Sequence, residues 1–174
     1  MPAHLTHPGT LWSRKILKAL IVLNWLVCAL IVGLFVFSFI FEPQFIAFYR
    51  AKQPPLGATN LIVGLRLMVV IGVLMFPLMH RVLARLLAIV ETVLVGDPFV
   101  PDNAKRLETI AWAMLGIQAL HLVFGVFAKV LSSPNVRIEW TFSLSGWIFV
   151  LLLFVLARVF EEGTRMRADL EGTV

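Results

Sequence analysis

The chain is poor in charge and nearly empty of cysteine. Only 14% of its 174 residues are Asp, Glu, Lys or Arg, against roughly 25% in an ordinary soluble domain. Hydrophobic residues make up 60%, and the mean hydropathy is +0.92. This balance excludes a water-soluble globular domain, and it is the opposite of the disordered signature. A single cysteine, Cys28, excludes an internal disulfide framework and a cysteine zinc cluster. The patterns of catalysis are missing as well. There is no metal-ligand cluster, no carboxylate pair and no Ser/His/Asp set at workable spacing. The chain is therefore read as a non-enzyme with no cofactor and no metal.

Long uncharged runs are what the sequence does contain. Ala19–Phe41, Thr109–Ala128 and Trp140–Ala157 hold no Asp, Glu, Lys or Arg, and Leu61–Met79 holds one, Arg66. About 20 apolar residues cross a hydrocarbon core as a helix, and backbone polar groups in lipid must be satisfied within their own segment. The expected fold is all-α: a polytopic membrane protein with four transmembrane helices over 19–41, 61–79, 109–128 and 140–157, in one membrane domain. A left-handed bundle is expected, with Gly33, Gly64, Gly72 and Gly116 at close helix contacts. The first run follows Arg14, Lys15 and Lys18 but is longer than a signal-peptide core of about 7–15 residues, and no A-x-A site follows. It is read as a retained span.

Basic residues set the expected orientation. Arg14, Lys15, Lys18, Arg81, Arg85, Lys105, Arg106, Arg158, Arg165 and Arg167 make ten on one side, and Arg50, Lys52, Lys129 and Arg137 make four on the other. The ten-residue side is read as cytoplasmic, so both termini and the segments 1–18, 80–108 and 158–174 lie on the inner side of the membrane. Trp12 and Trp112 then fall near the inner interface and Trp140 near the outer. Eight of the ten acidic residues also lie on the inner side, and that near balance argues against direct nucleic-acid binding.

Two inner segments carry pattern. Over Arg81–Val95 apolar residues recur at spacings of three and four, which predicts an amphipathic helix joined to the second span near Pro77. Gly96, Pro98 and Pro101 then break the helix, and Asp102 or Asn103 is expected to cap the next one. After the fourth span, Arg158–Glu162, Glu161–Arg165, Arg165–Asp169 and Arg167–Glu171 are opposite charges four apart. They predict roughly three further helical turns. The apolar stripe of that tail, including Phe160, Met166 and Leu170, is expected to pack on the Arg81–Val95 helix, because burying one large apolar side chain is worth about 1.5–3 kcal/mol.

The block Gly96-Asp97-Pro98-Phe99-Val100-Pro101-Asp102-Asn103-Ala104-Lys105-Arg106-Leu107, with Leu156-Ala157-Arg158-Val159-Phe160-Glu161-Glu162-Gly163 and the ending Asp169-Leu170-Glu171-Gly172-Thr173-Val174, resembles a bacterial four-helix membrane protein family catalogued as domain of unknown function 2975. The resemblance covers the chain from about Lys15 onward and brings no catalytic residues. Members are often encoded beside small helix-turn-helix regulators of the Cro/repressor type, so the resemblance implies a membrane partner for a transcription regulator.

The candidate sites follow from both readings. Arg66 is the only charge inside a span. It is read as snorkelling or pairing with Glu42 or Glu139, with a substrate or signal site as the alternative. His121 lies mid-span with Gln118 one turn earlier. The other histidines, His4, His7 and His80, do not lie mid-membrane, so no haem is expected, and hydrogen bonding among His121, Gln118 and Asn24 is the use assigned. Partner docking is assigned to Asp97, Pro98, Phe99, Pro101, Asn103 and Arg106 in the turn, and to Arg158, Phe160, Gly163, Leu170, Thr173 and Val174 in the tail. The function expected is a regulatory or signalling membrane protein whose partners are the lipid bilayer and a cytoplasmic regulator. A small-molecule or ion transporter and a lipid-responsive structural protein are the alternatives.

Overall fold

A computed structural model of the chain describes residues 8–44, 47, 58–131 and 139–171. Four long helices account for nearly all of them: α1, Pro8–Ile40; α2, Ala58–Val95; α3, Pro101–Leu131; and α4, Leu144–Glu171. No strand occurs among the described residues. All four helices are long and apolar enough to cross a membrane. The 31 residues of α3 amount to about 46 Å at 1.5 Å per residue, against a hydrocarbon core of about 30 Å. Each helix therefore has turns to spare beyond the lipid, and those turns carry most of the charge.

The amphipathic segment Arg81–Val95 is not a separate helix. It is the second half of α2, which runs through Pro77 without a break. Neighbouring helices and local adjustment commonly satisfy the carbonyl that a proline frees in a spanning helix. The tail is likewise the end of α4, which runs on to Glu171.

α2 stops for a local reason. Gly96 has φ +92°, its N–H donates to the Val93 carbonyl at 3.1 Å, and the Asp97 N–H donates to the Thr92 carbonyl at 3.1 Å. These two bonds form a Schellman motif, which closes a helix with a left-handed residue and favours glycine there. α3 begins at Pro101, whose fixed φ suits a first helical position. Val100 is thus the residue before the helix, and its carbonyl accepts from the Asn103 N–H at 2.9 Å. The cap expected from Asp102 or Asn103 does not form, because both already lie within the first turn. Asp102 instead places a negative charge at the positive end of the helix dipole.

The chain forms two compact units. The first comprises residues 1–24, 77–118 and 143–174. Its core joins Val82 of α2, Leu107, Ile110 and Ala111 of α3, and Leu153 and Ala157 of α4. Alanines at such positions let helix backbones approach closely, which is how spanning helices gain van der Waals contact in place of hydrophobic driving force. Arg14 of α1 lies 3.5 Å from Glu91 of α2, with both side chains nearly half exposed. The second unit comprises 25–76 and 119–142.

The glycine expectation divides. Gly116 has the Leu78 side chain 3.2 Å from where a Cβ would stand, and Gly64 is buried. Gly33 and Gly72 have nothing within 4 Å of that point, so neither serves a close contact. A close approach that glycine permits is at Gly125 instead, where an added Cβ would fall within the Trp140 indole, and at Gly146 an added Cβ would displace the flexible end of Gln118.

Candidate functional site

Two places concentrate polar chemistry. The first is the turn between α2 and α3 with its surroundings. Asn103 is the only polar residue among the described ones to be fully buried. Its Nδ2 donates to the Thr92 hydroxyl at 2.7 Å and to the Pro98 carbonyl at 2.8 Å. Its Oδ1 accepts from Arg106 at 2.8 Å, and Arg106 also donates to the Ala88 carbonyl at 3.2 Å. Thr92 in turn donates to the Ile89 carbonyl at 2.7 Å. One carboxamide thus satisfies the end of α2, the turn and the start of α3 together. A fully satisfied buried network of this kind sets a unique geometry.

The tail of α4 fastens onto the same turn. Arg167 donates to Asp97 at 2.6 Å across 70 residues of sequence, and Phe160 stacks on Phe99 with ring centroids 5.6 Å apart. Gly163 leaves room beside Phe99, whose ring lies 3.7 Å from the point a Cβ would occupy. The tail therefore fastens to the turn, and Phe160 also packs against the core that includes Val82 of α2. Met166 and Leu170, expected in the same stripe, are exposed, since α4 has passed the core by that point. The charges along the tail also pair differently from expectation. Arg158 meets Glu161 at 2.8 Å and Arg165 meets Glu162 at 2.6 Å, each three residues apart rather than four.

Of the residues assigned to docking, Asn103 is withdrawn from any surface by its burial, and half-buried Arg106 is committed to Asn103 and Ala88. Asp97, Pro98, Phe99 and Pro101 stand on the turn, Arg158 and Leu170 are exposed on α4, and Phe160 and Gly163 contact Phe99. Thr173 and Val174 lie outside the described residues. Beside the turn, α3 and α4 border a groove of about 580 Å³. Trp112 and Phe154 line it as an edge-to-face pair at 5.3 Å. Lys105 and Glu108 line one side, and Arg158 and Glu161 the other.

The second place is in the other unit. Arg66 Nη2 donates to Glu42 Oε2 at 3.0 Å and to the Ser38 carbonyl at 2.9 Å, and the guanidinium lies 3.7 Å from the centre of the Phe39 ring. Of the two carboxylates considered for Arg66, Glu42 is the one engaged. His121 has Trp140 as its neighbour: the indole Nε1–H donates to the His121 carbonyl at 3.2 Å, and the rings are 5.7 Å apart. The other two polar residues of the spans belong to the first unit: Gln118 lies against Gly146, and Asn24 is half-buried in α1. Composition signalled Arg66 and His121 as polar groups among apolar ones. Nothing comparable pointed to Thr92, Gly125 or Gly146, whose roles arise from residues far away in sequence.

Residues 81–174 match the family described as Protein of unknown function (DUF2975). The match begins at Arg81 and so includes the turn, the Asn103 network, the groove and the tail. No curated protein and no solved structure matches the chain.

Proposed function

This chain belongs to the DUF2975 family of proteins of unknown function, and we propose that it is a non-enzymatic regulatory membrane protein whose groove between α3 and α4 receives a helix of a cytoplasmic partner. The observation that carries this reading is the construction of the groove. Its aromatic pair is flanked by both signs of charge on each side, and the ends of α3 and α4 that border it are tied to the turn by the Asn103 network and the Asp97–Arg167 pair. An amphipathic helix with apolar anchors and mixed charges suits such a surface. The family resemblance supplies the partner class, a small helix-turn-helix transcription regulator. The excess of basic residues at this end favours placing it on the cytoplasmic side of a bacterial inner membrane, where such a regulator resides.

The test is photo-crosslinking in intact cells from an unnatural residue at position 108 or 158, followed by identification of the adducts. A helix-turn-helix protein is expected, and its capture should fall when Lys105→Glu and Glu108→Lys reverse the α3 side of the groove. Adducts to lipid alone, or a regulator whose capture ignores the reversal, reject the reading.

A further inference from the structure

The ends of α1 and α2 nearest Ile40 and Ala58 border a second cavity, of about 550 Å³, within the roughly 300–1,000 Å³ of small-molecule sites. Its walls are apolar: Ile31, Leu34 and Phe35 come from α1, and Leu65 and Val69 from α2. The polar residues lining it are Ser38, Glu42 and Arg66, and they are gathered by the hydrogen bonds of Arg66. From Ile31 to Glu42 the chain advances about 16 Å at helical rise. Half of a hydrocarbon core is about 15 Å. The cavity is therefore about as long as one leaflet is deep, with its charges gathered at the end nearest Glu42.

The charges themselves narrow the occupant. Among the described residues, Arg66 makes both hydrogen bonds through Nη2, while its Nε is buried with no acceptor. A guanidinium beside hydrocarbon is costly unless more acceptors reach it. The Phe39 ring against its face keeps it from swinging away. Glu42 engages it through Oε2, which leaves Oε1 to accept. An anionic headgroup would gain Arg66 but meet the Glu42 carboxylate, and a cationic amphiphile would meet the reverse. A headgroup with one charge of each sign complements both.

We infer that this cavity binds one zwitterionic phospholipid with a primary-ammonium headgroup. Its phosphate lies on Arg66, its ammonium donates to Glu42, and an acyl chain runs along Leu34, Phe35 and Leu65 toward Ile31. The site uses residues of α1, the turn that follows it and α2, and it shares no residue with the groove.

The test uses the full chain in detergent, stripped of lipid, with native mass spectrometry and thermal unfolding as readouts. Phosphatidylethanolamine and phosphatidylglycerol with identical chains are the probes. One phosphatidylethanolamine should be retained per chain, with an affinity at least about tenfold above phosphatidylglycerol. Equal affinity, or preference for phosphatidylglycerol, overturns the inference. Glu42→Gln should erase most of that preference, and a preference left intact overturns the assignment of the ammonium. Leu65→Trp, which fills the apolar part without touching a charge, should release both lipids, and unchanged retention overturns the location. Glycerophosphoethanolamine, which has no acyl chain, should give no stabilisation; if it matches the lipid, the acyl part of the site is wrong.

Discussion

The side-chain amide of Asn103 donates to the Thr92 hydroxyl at 2.7 Å, tying the first turn of α3 to the last turn of α2. The pair replaces water for both groups in a place water does not reach, since Asn103 has no exposed surface. Stranding a buried polar partner costs roughly 1–3 kcal/mol, and Asn103 serves Thr92, Pro98 and Arg106 at once. Asn103→Leu should therefore destabilise the protein by at least about 2 kcal/mol. Thermal unfolding of the unit that holds Asn103 can be followed through the fluorescence of Trp112, which lies in the same unit. A transition unchanged from the parent protein contradicts this role.

Gly125 faces the Trp140 indole so closely that an added Cβ would overlap it. A rigid ring that also donates to the His121 carbonyl gives way less readily than a flexible chain end. Gly125→Ala should cost about 1–3 kcal/mol through overpacking. In a Trp140→Ala background the same change should cost little. The double-mutant cycle measures the difference, and equal costs in both backgrounds dismiss the contact.

Exchanging the charges of Arg66 and Glu42 should recover only part of what either single reversal loses. The pair itself survives such an exchange. The bond from Arg66 to the Ser38 carbonyl and its stacking on Phe39 do not, because a carboxylate cannot donate and is repelled by a ring face. Yields of folded protein should rank parent, double exchange, then Arg66→Glu. Full recovery in the double exchange would mean that only the ion pair matters.

The orientation has a direct check. With Cys28 replaced, a cysteine introduced at exposed Asp102 should react with an impermeant maleimide only after the cells are opened. Labelling of intact cells reverses the topology and removes the cytoplasmic partner with it.

The long uncharged runs were sufficient to place four spanning helices, because lipid leaves a backbone no other way to satisfy its own hydrogen bonds. The break at Gly96–Pro101 was legible for a similar reason. Glycine permits a positive φ and proline fixes φ, and neither effect waits for tertiary contacts. The single charge in the runs marked Arg66, and two nearby carboxylates bounded its choice of partner. Other features belong to tertiary structure alone. Asn103 reads in sequence as a cap on a surface turn. Its burial depends on α2 and α3 meeting at an angle that brings Thr92 to it and Ala88 to Arg106, and spacing cannot encode that. Arg167 has Glu171 one turn away in sequence yet reaches Asp97, because α4 passes the turn at that height. Gly33, Gly72 and Gly125 look alike along the chain, but only Gly125 has an aromatic ring against it. Composition and local conformational limits determine which segments become helices and where they end. Which faces of those helices meet depends on side chains distant in sequence, so the satisfied polar groups, the tight glycine and the lined cavities were decided only when the helices packed.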